Sequence, residues 1–346
     1  MFSGKFNSYK PFSRLINKNR LQTLDIIYNG QPFVNVVSSN QNTFNLDTVY
    51  NGQPFLGIPN NYIRRSISST NHPDVNTWLN TLSLSGGTAN STTISALNTF
   101  CNSIDSAGLR RKFYRLNLFC GNNLNACLVP LYVSSWWNDP VYGFSIDQNL
   151  GFLTSDYTET GVNGGLLGDG ASKHLRTGLR PDRLPTGFEY NCHLSAYRRT
   201  FGNTQALIGS YYYDNNISAN RHSYEISQST INLNTTGGPA VPTINSYPVF
   251  QIGVRSSPSN AIAYNNSTAG TPYTTTISAF ATNIPFVIFG RNLIAGSPPI
   301  EGAYTVTFLT SALLAGYSIG ASLNSSEVTS FNTIMQTFQT SLNRNV

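Results

Sequence analysis

The chain has 346 residues and a net charge of +6, with only 10% charged side chains against 40% apolar ones. An average soluble domain is about a quarter charged, so the surface here must be carried by Asn, Ser, Thr and Gly, while the apolar content excludes the low-hydrophobicity, high-charge composition of a disordered chain. No stretch approaches the roughly 18 apolar residues of a membrane helix, and after Met1 the sequence runs polar and basic, without the apolar core of a secretory signal. These features predict synthesis in a cytoplasm and no membrane insertion.

Lys5, Lys10, Arg14, Lys18 and Arg20 all precede the first acid, Asp25. A basic arm of this kind can meet nucleic acid, an acidic protein surface or an anionic polymer. A solvated tail is the plainer reading, and no zinc-finger, helix-turn-helix or single-strand-binding signature follows to favour nucleic acid.

The decapeptide LDIIYNGQPF at 24–33 then recurs as LDTVYNGQPF at 46–55, eight of ten positions matching at an offset of 46 − 24 = 22 residues. Asn-Gly is a strong hairpin signal because both residues tolerate positive φ. The proline two residues later cannot donate to a ladder and so belongs at an edge or in a turn. Each copy reads as a short strand, a tight turn and aromatic anchors: Tyr28 and Phe33 in the first, Tyr50 and Phe55 in the second. A unit this small cannot fold alone. Active sites are rarely duplicated in this way, whereas clips that dock on a partner or on the chain's own body are. The arm with its two clips spans residues 1–65.

Residues 66–130 carry helical spacing and are expected to form a linking segment. Pro73-Asp74 followed by Val75, Trp78, Leu79 and Leu82 stops at Gly86-Gly87. A second run, capped by Ser91, places Ile94, Leu97, Cys101, Ile104 and Ala107 on one face and stops at Gly108. Such stripes are core-facing far more often than ligand-binding. Cys101, Cys120, Cys127 and Cys192 form no C-x-x-C, and His72, His174, His193 and His222 are scattered. The cysteines therefore read as free and buried, and no metal or cofactor is expected.

From 131 to 346 short apolar-alternating runs are broken by turns: HLSAYRR at 193, QALIGSYYY at 205, HSYEIS at 222, YPVFQIGVR at 247, IPFVIFGR at 284 and AYTVTFL at 303. Strands at this spacing with no helices between them predict a sandwich or jelly roll. The chain closes on a helix begun by Asn324 and Glu327, with Val328, Phe331, Ile334, Met335, Phe338 and Leu342 inward.

Five clusters bear chemistry. Asp156 and Glu159 share a Gly/Thr-rich loop and are the nearest thing to the paired carboxylates of a glycosidase, although a solvated loop explains them better and Glu-x-Asp occurs nowhere in the chain. Asp169 and Asp214-Asn215-Asn216 have calcium-ligand chemistry, but both fit turns as well. Trp136-Trp137 beside Asn138-Asp139, and Tyr211 and Tyr213 beside Asp214, have the flat aromatic and polar chemistry of a sugar site. In a strand Tyr212 faces away from Tyr211 and Tyr213, so at least one of the three tyrosines belongs to the core, and adjacent tryptophans also suit a subunit interface. GVNGGLLGDG lacks the Lys-Ser/Thr and the strand–loop–helix setting of a phosphate loop.

The segment LLGDGASKHLRTGL (166–179) resembles the entry strand of concanavalin A-like (laminin G-like) jelly rolls, and GYSIGASLNSSEVTSFNTIMQTFQTSLNR (316–344) resembles their final strand followed by the amphipathic helix of phage and prophage structural proteins. Residues 92–132 are similar to the helical lead-in of such virion proteins, and the Tyr-Asn-Gly-Gln-Pro-Phe copies to short N-terminal repeats of tailed-phage, cyanophage-like proteins. The resemblance implies a mainly β protein, a concanavalin A-like jelly-roll sandwich preceded by an extended N-terminal arm with hairpin repeats and a small helical segment. It implies a non-enzymatic virion component (head decoration, neck, tail or fibre) whose partners are capsid, neck or tail proteins and copies of itself, and it carries over no catalytic residue. The alternatives are a receptor for host-surface glycan and, behind it, a polysaccharide hydrolase.

Overall fold

The computed structural model describes residues 35–38, 44–47, 49–50 and 53–54 and, except for 135–144, 204, 214–220, 228, 236–237, 240, 245, 275, 277–282 and 296–304, residues 71–345. The chain divides into two units, Met1–Thr70 and Asn71–Val346. In the first unit, β1 (Asn35–Ser38) pairs antiparallel with β2 (Phe44–Asp47), and β3 (Val49–Tyr50) pairs antiparallel with β4 (Gln53–Pro54). Val49 lies opposite Pro54 and Tyr50 opposite Gln53, and the Asn51-Gly52 turn expected between them lies outside the described residues. Pro54 sits on a two-stranded ribbon, where its missing N–H costs no ladder bond. The first copy lies outside the described residues.

The second unit has a helical layer and two β-sheets. The helix-backed sheet runs β17 (Thr268–Ala269), β16 (Asn260–Asn265), β15 (Val249–Ser257), β11 (Cys192–Arg198), β21 (Leu313–Gly320), β5 (Phe113–Asn117), β6 (Tyr132–Val133). On it, β9 (Gly165–Leu167) pairs with β21 and with β8 (Tyr157–Thr158). The outer sheet runs β14 (Ile231–Thr235), β13 (Arg221–Ser227), β12 (Ala206–Tyr213), β18 (Val287–Ile288), β10 (His174–Arg176), β7 (Gln148–Leu150). There β19 (Arg291–Ala295) joins β12 in parallel and carries β20 (Thr305–Thr307) at its edge. The body is therefore a mainly β, two-sheet structure with few helices.

Two apolar clusters explain the layering. Leu194, Leu207, Tyr224, Ile226, Leu233, Phe286 and Tyr317 fill the space between the sheets. Trp78, Phe100, Phe113, Phe250, Phe331 and Phe338 fill the space between the helix-backed sheet and the helices. β11 and β21 are consequently buried along their whole length, which is why HLSAYRR does not alternate cleanly: Leu194 and Ala196 face the outer sheet, while Tyr197 on the other side belongs to the helix-side cluster. A strand covered on both faces loses the period-two pattern.

The helices α1 (Pro73–Leu84) and α2 (Ser91–Ser106) belong to this core. The stretch expected as a linker up to residue 130 is thus an integral layer of the second unit, because Trp78, Leu97 and Phe100 have no other surface on which to be buried. α1 begins with proline in its first turn and with His72 Nδ1 accepting from Asp74 N at 3.2 Å. The cap of α2 is Asn90, one residue before the expected Ser91: its side chain accepts from Thr93 N at 2.9 Å. Asn and Ser cap equally well, so the sequence alone does not choose between them. Ala107, expected on the buried face, caps the C-terminus and is exposed, whereas Phe100 meets Phe338 edge-on at 5.6 Å. A one-turn helix, α3 (Leu124–Cys127), leads towards β6.

α4 (Ser325–Ser341) has the predicted capping box: Asn324 Oδ1 accepts from Glu327 N at 2.9 Å and Glu327 Oε2 accepts from Asn324 N at 2.8 Å. All six predicted inward residues, Val328 to Leu342, are buried. Asn324→Ala is expected to lower stability by about 1 kcal/mol. The check is the urea midpoint, and no shift would mean that water caps α4 equally well. All four cysteines are free and buried, and no described helix is long and apolar enough to cross a membrane.

Candidate functional site

The outer sheet presents a cluster of charged and aromatic side chains built on β12, β13 and β19. Glu225 on β13 has Gly209 and Asn232 as its cross-strand neighbours. A Cβ at Gly209 would lie 2.8 Å from the Cα of Arg291, so glycine is what lets β19 cross so close to β12. Arg291 Nη1 lies 3.3 Å from Glu225 Oε2. Its guanidinium carbon is 4.4 Å from the centroid of the Tyr211 ring and 3.8 Å from that of Phe308. The cation is thus held between two aromatic faces, an arrangement worth roughly 0.5–2 kcal/mol per ring. Burial raises the Glu225 carboxyl above its ordinary range, with Arg291 opposing that rise. Arg291 Nε, Asn232 Oδ1 and Thr307 Oγ1 are buried without a partner, and Thr307 stands opposite Arg291 in the β19–β20 pair.

Tyr211 is the one proposed sugar-binding residue whose side chain is described, and Arg291 covers a face of its ring. Tyr212, on the opposite side of the strand, is buried beside Ile284, as alternation requires. The side chain of Tyr213 lies outside the described residues, as do Trp136, Trp137 and Asp214-Asn215-Asn216, and the anchors Tyr28, Phe33 and Phe55; for Tyr50 only its backbone place in β3 is described. Sequence reasoning missed Phe308, which is half exposed. Its only trace there is the aromatic just before the end of the AYTVTFL run.

The proposed carboxylate pair is drawn apart. Asp156 accepts from Lys173 Nζ at 2.8 Å and Leu153 N at 2.7 Å. Glu159 instead accepts from the Thr93 hydroxyl, from Gly121 N at 2.9 Å and from Asn90 Nδ2 at 3.1 Å, tying its loop to α2. These partners make both carboxylates structural. Asp169 accepts from Ala171 N and Ser172 N at 2.9 Å, Lys173 N at 3.0 Å and Ser172 Oγ at 2.8 Å. Those donors hold its carboxyl well below the usual range, the pattern of an Asx turn.

Three clusters invisible in sequence have catalytic or metal-binding residue types. His72, Asp74 and Cys101 bring their ligand atoms within 4.8 Å of one another. Arg110 grips Asp74 through Nε at 2.6 Å and Nη2 at 3.1 Å, and His72 Nε2 bonds Asp105 Oδ2 at 2.9 Å. Burial pushes the Cys101 thiol up to about 12, and the Arg110 guanidinium already occupies the Asp74 carboxylate. His193 Nδ1 donates to Ala321 O at 2.6 Å, which leaves Nε2 to accept from Ser318 Oγ at 2.8 Å, with Ser195 Oγ 2.6 Å beyond. This resembles a serine–histidine dyad, but it is sealed beneath Phe113 and Phe331. Asp147 is fully buried with Arg115, Asn117 and Tyr317. Among the residues whose side chains are described, every carboxylate except that of Glu189 accepts a hydrogen bond or ion pair from its own chain.

No family model matches the chain, and no curated protein does. Among solved structures, domain 4 of AbnA, a GH43 extracellular arabinanase from Geobacillus stearothermophilus in complex with arabinotriose, is similar at TM-score 0.31 and 12% identity over 48% of this chain and 75% of that one. Trypanosoma rangeli sialidase bound to 2,3-difluorosialic acid is similar at TM-score 0.33 and 14% identity over 69% of this chain but only 38% of that one. A mutant of the same sialidase displaying trans-sialidase activity scores 0.34 at 11% identity, over 71% and 39%. Likeness this slight transfers neither fold nor activity.

Proposed function

We propose that this chain is a non-enzymatic structural protein of a particle, of the tailed-phage virion type that its sequence resembles. Residues 1–65 attach it through the duplicated decapeptide, and the body, a concanavalin A-like jelly roll, is displayed outward. The observation that carries this reading is the hairpin of the second copy, Tyr50 paired with Gln53, formed within a unit that partitions from the body. A ribbon of two residues a side has no stability of its own, so it gains a fixed place by docking its aromatic anchors, and a few such anchors carry most of the energy of an interface. The commitment of the described carboxylates to structural partners supports a non-catalytic body. Glu225 has the raised pKa of a general acid, but its cross-strand neighbours are Gly209 and Asn232 rather than a second carboxylate.

The partners are other virion proteins and copies of this chain. Light scattering on the full chain and on a form lacking residues 1–60 tests this. The full chain is expected to be oligomeric and the truncation monomeric. Oligomers of unchanged order after truncation would remove the clip from assembly and overturn the proposal.

A further inference from the structure

Arg198 ends β11, opposite Val249 on one side and Leu314 on the other. It is fully buried, yet of its five N–H donors only Nε is used, donating to Thr200 O at 2.9 Å; Nη1 and Nη2 have no partner. This sets it apart from Arg344, also fully buried, whose Nη1 and Nη2 donate to Leu118 O at 3.1 Å and Phe119 O at 2.6 Å, and from Arg115, which faces Asp147. Among the described residues no carboxylate bears on Arg198. Burial lowers its pKa, and the one group opposing that is Tyr247.

Two aromatic rings flank the guanidinium. Its carbon lies 5.3 Å from the Tyr247 ring centroid and 5.7 Å from that of Phe201, and the two rings stand nearly perpendicular, at 88° and 6.3 Å. The Tyr247 hydroxyl is likewise buried without a partner. The Phe201 backbone is pinned on a tight turn: a Cβ at Gly202 would lie 2.7 Å from Ala312 N, and Asn203 exchanges hydrogen bonds with Ser311 at 3.1 and 2.9 Å. Its ring, however, is 55% exposed. Side chains this exposed change rotamer freely.

An unpaired buried cation is unfavourable, and truncating or leaving either member of a buried ion pair alone is costly. A planar guanidinium with its two terminal nitrogens free is matched by the two oxygens of a carboxylate. The flanking rings offer flat apolar surface of the kind that packs against the C–H face of a pyranose. We infer that Arg198, Phe201 and Tyr247 form a binding site for an acidic sugar, with Arg198 taking the carboxylate and Phe201 acting as its movable cover. This site is separate from the Tyr211–Arg291–Phe308 cluster and does not depend on how the chain is attached to a particle.

The test is isothermal titration of the full chain with glucuronate, glucose and inorganic phosphate, repeated on R198M and R198K. Glucuronate is expected to bind, glucose not to bind, and phosphate to bind at least tenfold more weakly. R198M removes an unpaired buried charge, so it should fold with an unchanged or higher Tm while losing glucuronate. R198K keeps a charge but not the fork and should lose at least tenfold in affinity. No glucuronate binding, or binding that survives R198M, overturns the site, and phosphate binding as tight as glucuronate overturns the sugar assignment.

Discussion

Asp147→Ala is expected to destabilise the body by about 3–5 kcal/mol, the usual consequence of stranding a buried charge. Asp147 is fully buried, and its carboxylate accepts from Arg115 Nη2 at 2.6 Å, Arg115 Nε at 2.9 Å and Asn117 Nδ2 at 2.8 Å, with the Tyr317 hydroxyl 2.7 Å away. Removing it takes the buried guanidinium's carboxylate away and strips one acceptor each from the Tyr317 hydroxyl and the Asn117 amide. The double variant Arg115→Met, Asp147→Ala should recover a good part of the loss, because apolar groups of similar volume replace a buried pair at little cost. Urea denaturation of the two single variants and the double closes the cycle. A single-variant loss below about 1 kcal/mol would mean that water enters and solvates Arg115.

The second large effect is on pH. Burial beneath Phe113 and Phe331 lowers the His193 pKa to about 4 from its ordinary 6.5. Between those values the unfolded chain binds a proton that the folded chain refuses, so stability is full above about pH 6.5 and declines as pH falls towards 4. At 1.36 kcal/mol per pKa unit the decline is about 3 kcal/mol. His193→Gln cannot take up that proton and should flatten this part of the curve, at the cost of a lower plateau at neutral pH, since the Ala321 carbonyl and Ser318 hydroxyl lose their fitted partner. Thermal unfolding at several pH values reads both effects. A parallel pair of curves would assign the acid sensitivity to other groups.

Local chemistry was legible in the sequence. Asn324 with Glu327, proline at the start of α1 and glycine after its end each act over a few residues, so their meaning survives without the fold. The inward face of α4 and the opposed directions of Tyr211 and Tyr212 follow from the periods of helix and strand. The apolar stripes of α1 and α2 reveal in the sequence that these helices will be buried, but not against what.

The polar sites were set by the tertiary structure. Asp147 meets Arg115 across 32 residues and Tyr317 across 170, and Glu225 meets Arg291 across 66. Asp156 and Glu159, three apart in sequence, are pulled to different partners by Lys173 and Thr93. Arg198 and Arg199 look alike in the sequence, yet the Nη1 of Arg199 reaches the carbonyls of Gly161 and Gly164, while Arg198 is left with its fork empty beneath two rings. Side-chain type and local period determined the helices, strands and turns of this protein, because those depend on neighbours in the chain. Which charges are paired, sealed or left waiting depends on which strands become neighbours, and burial then converts each such pairing from a small surface effect into several kcal/mol.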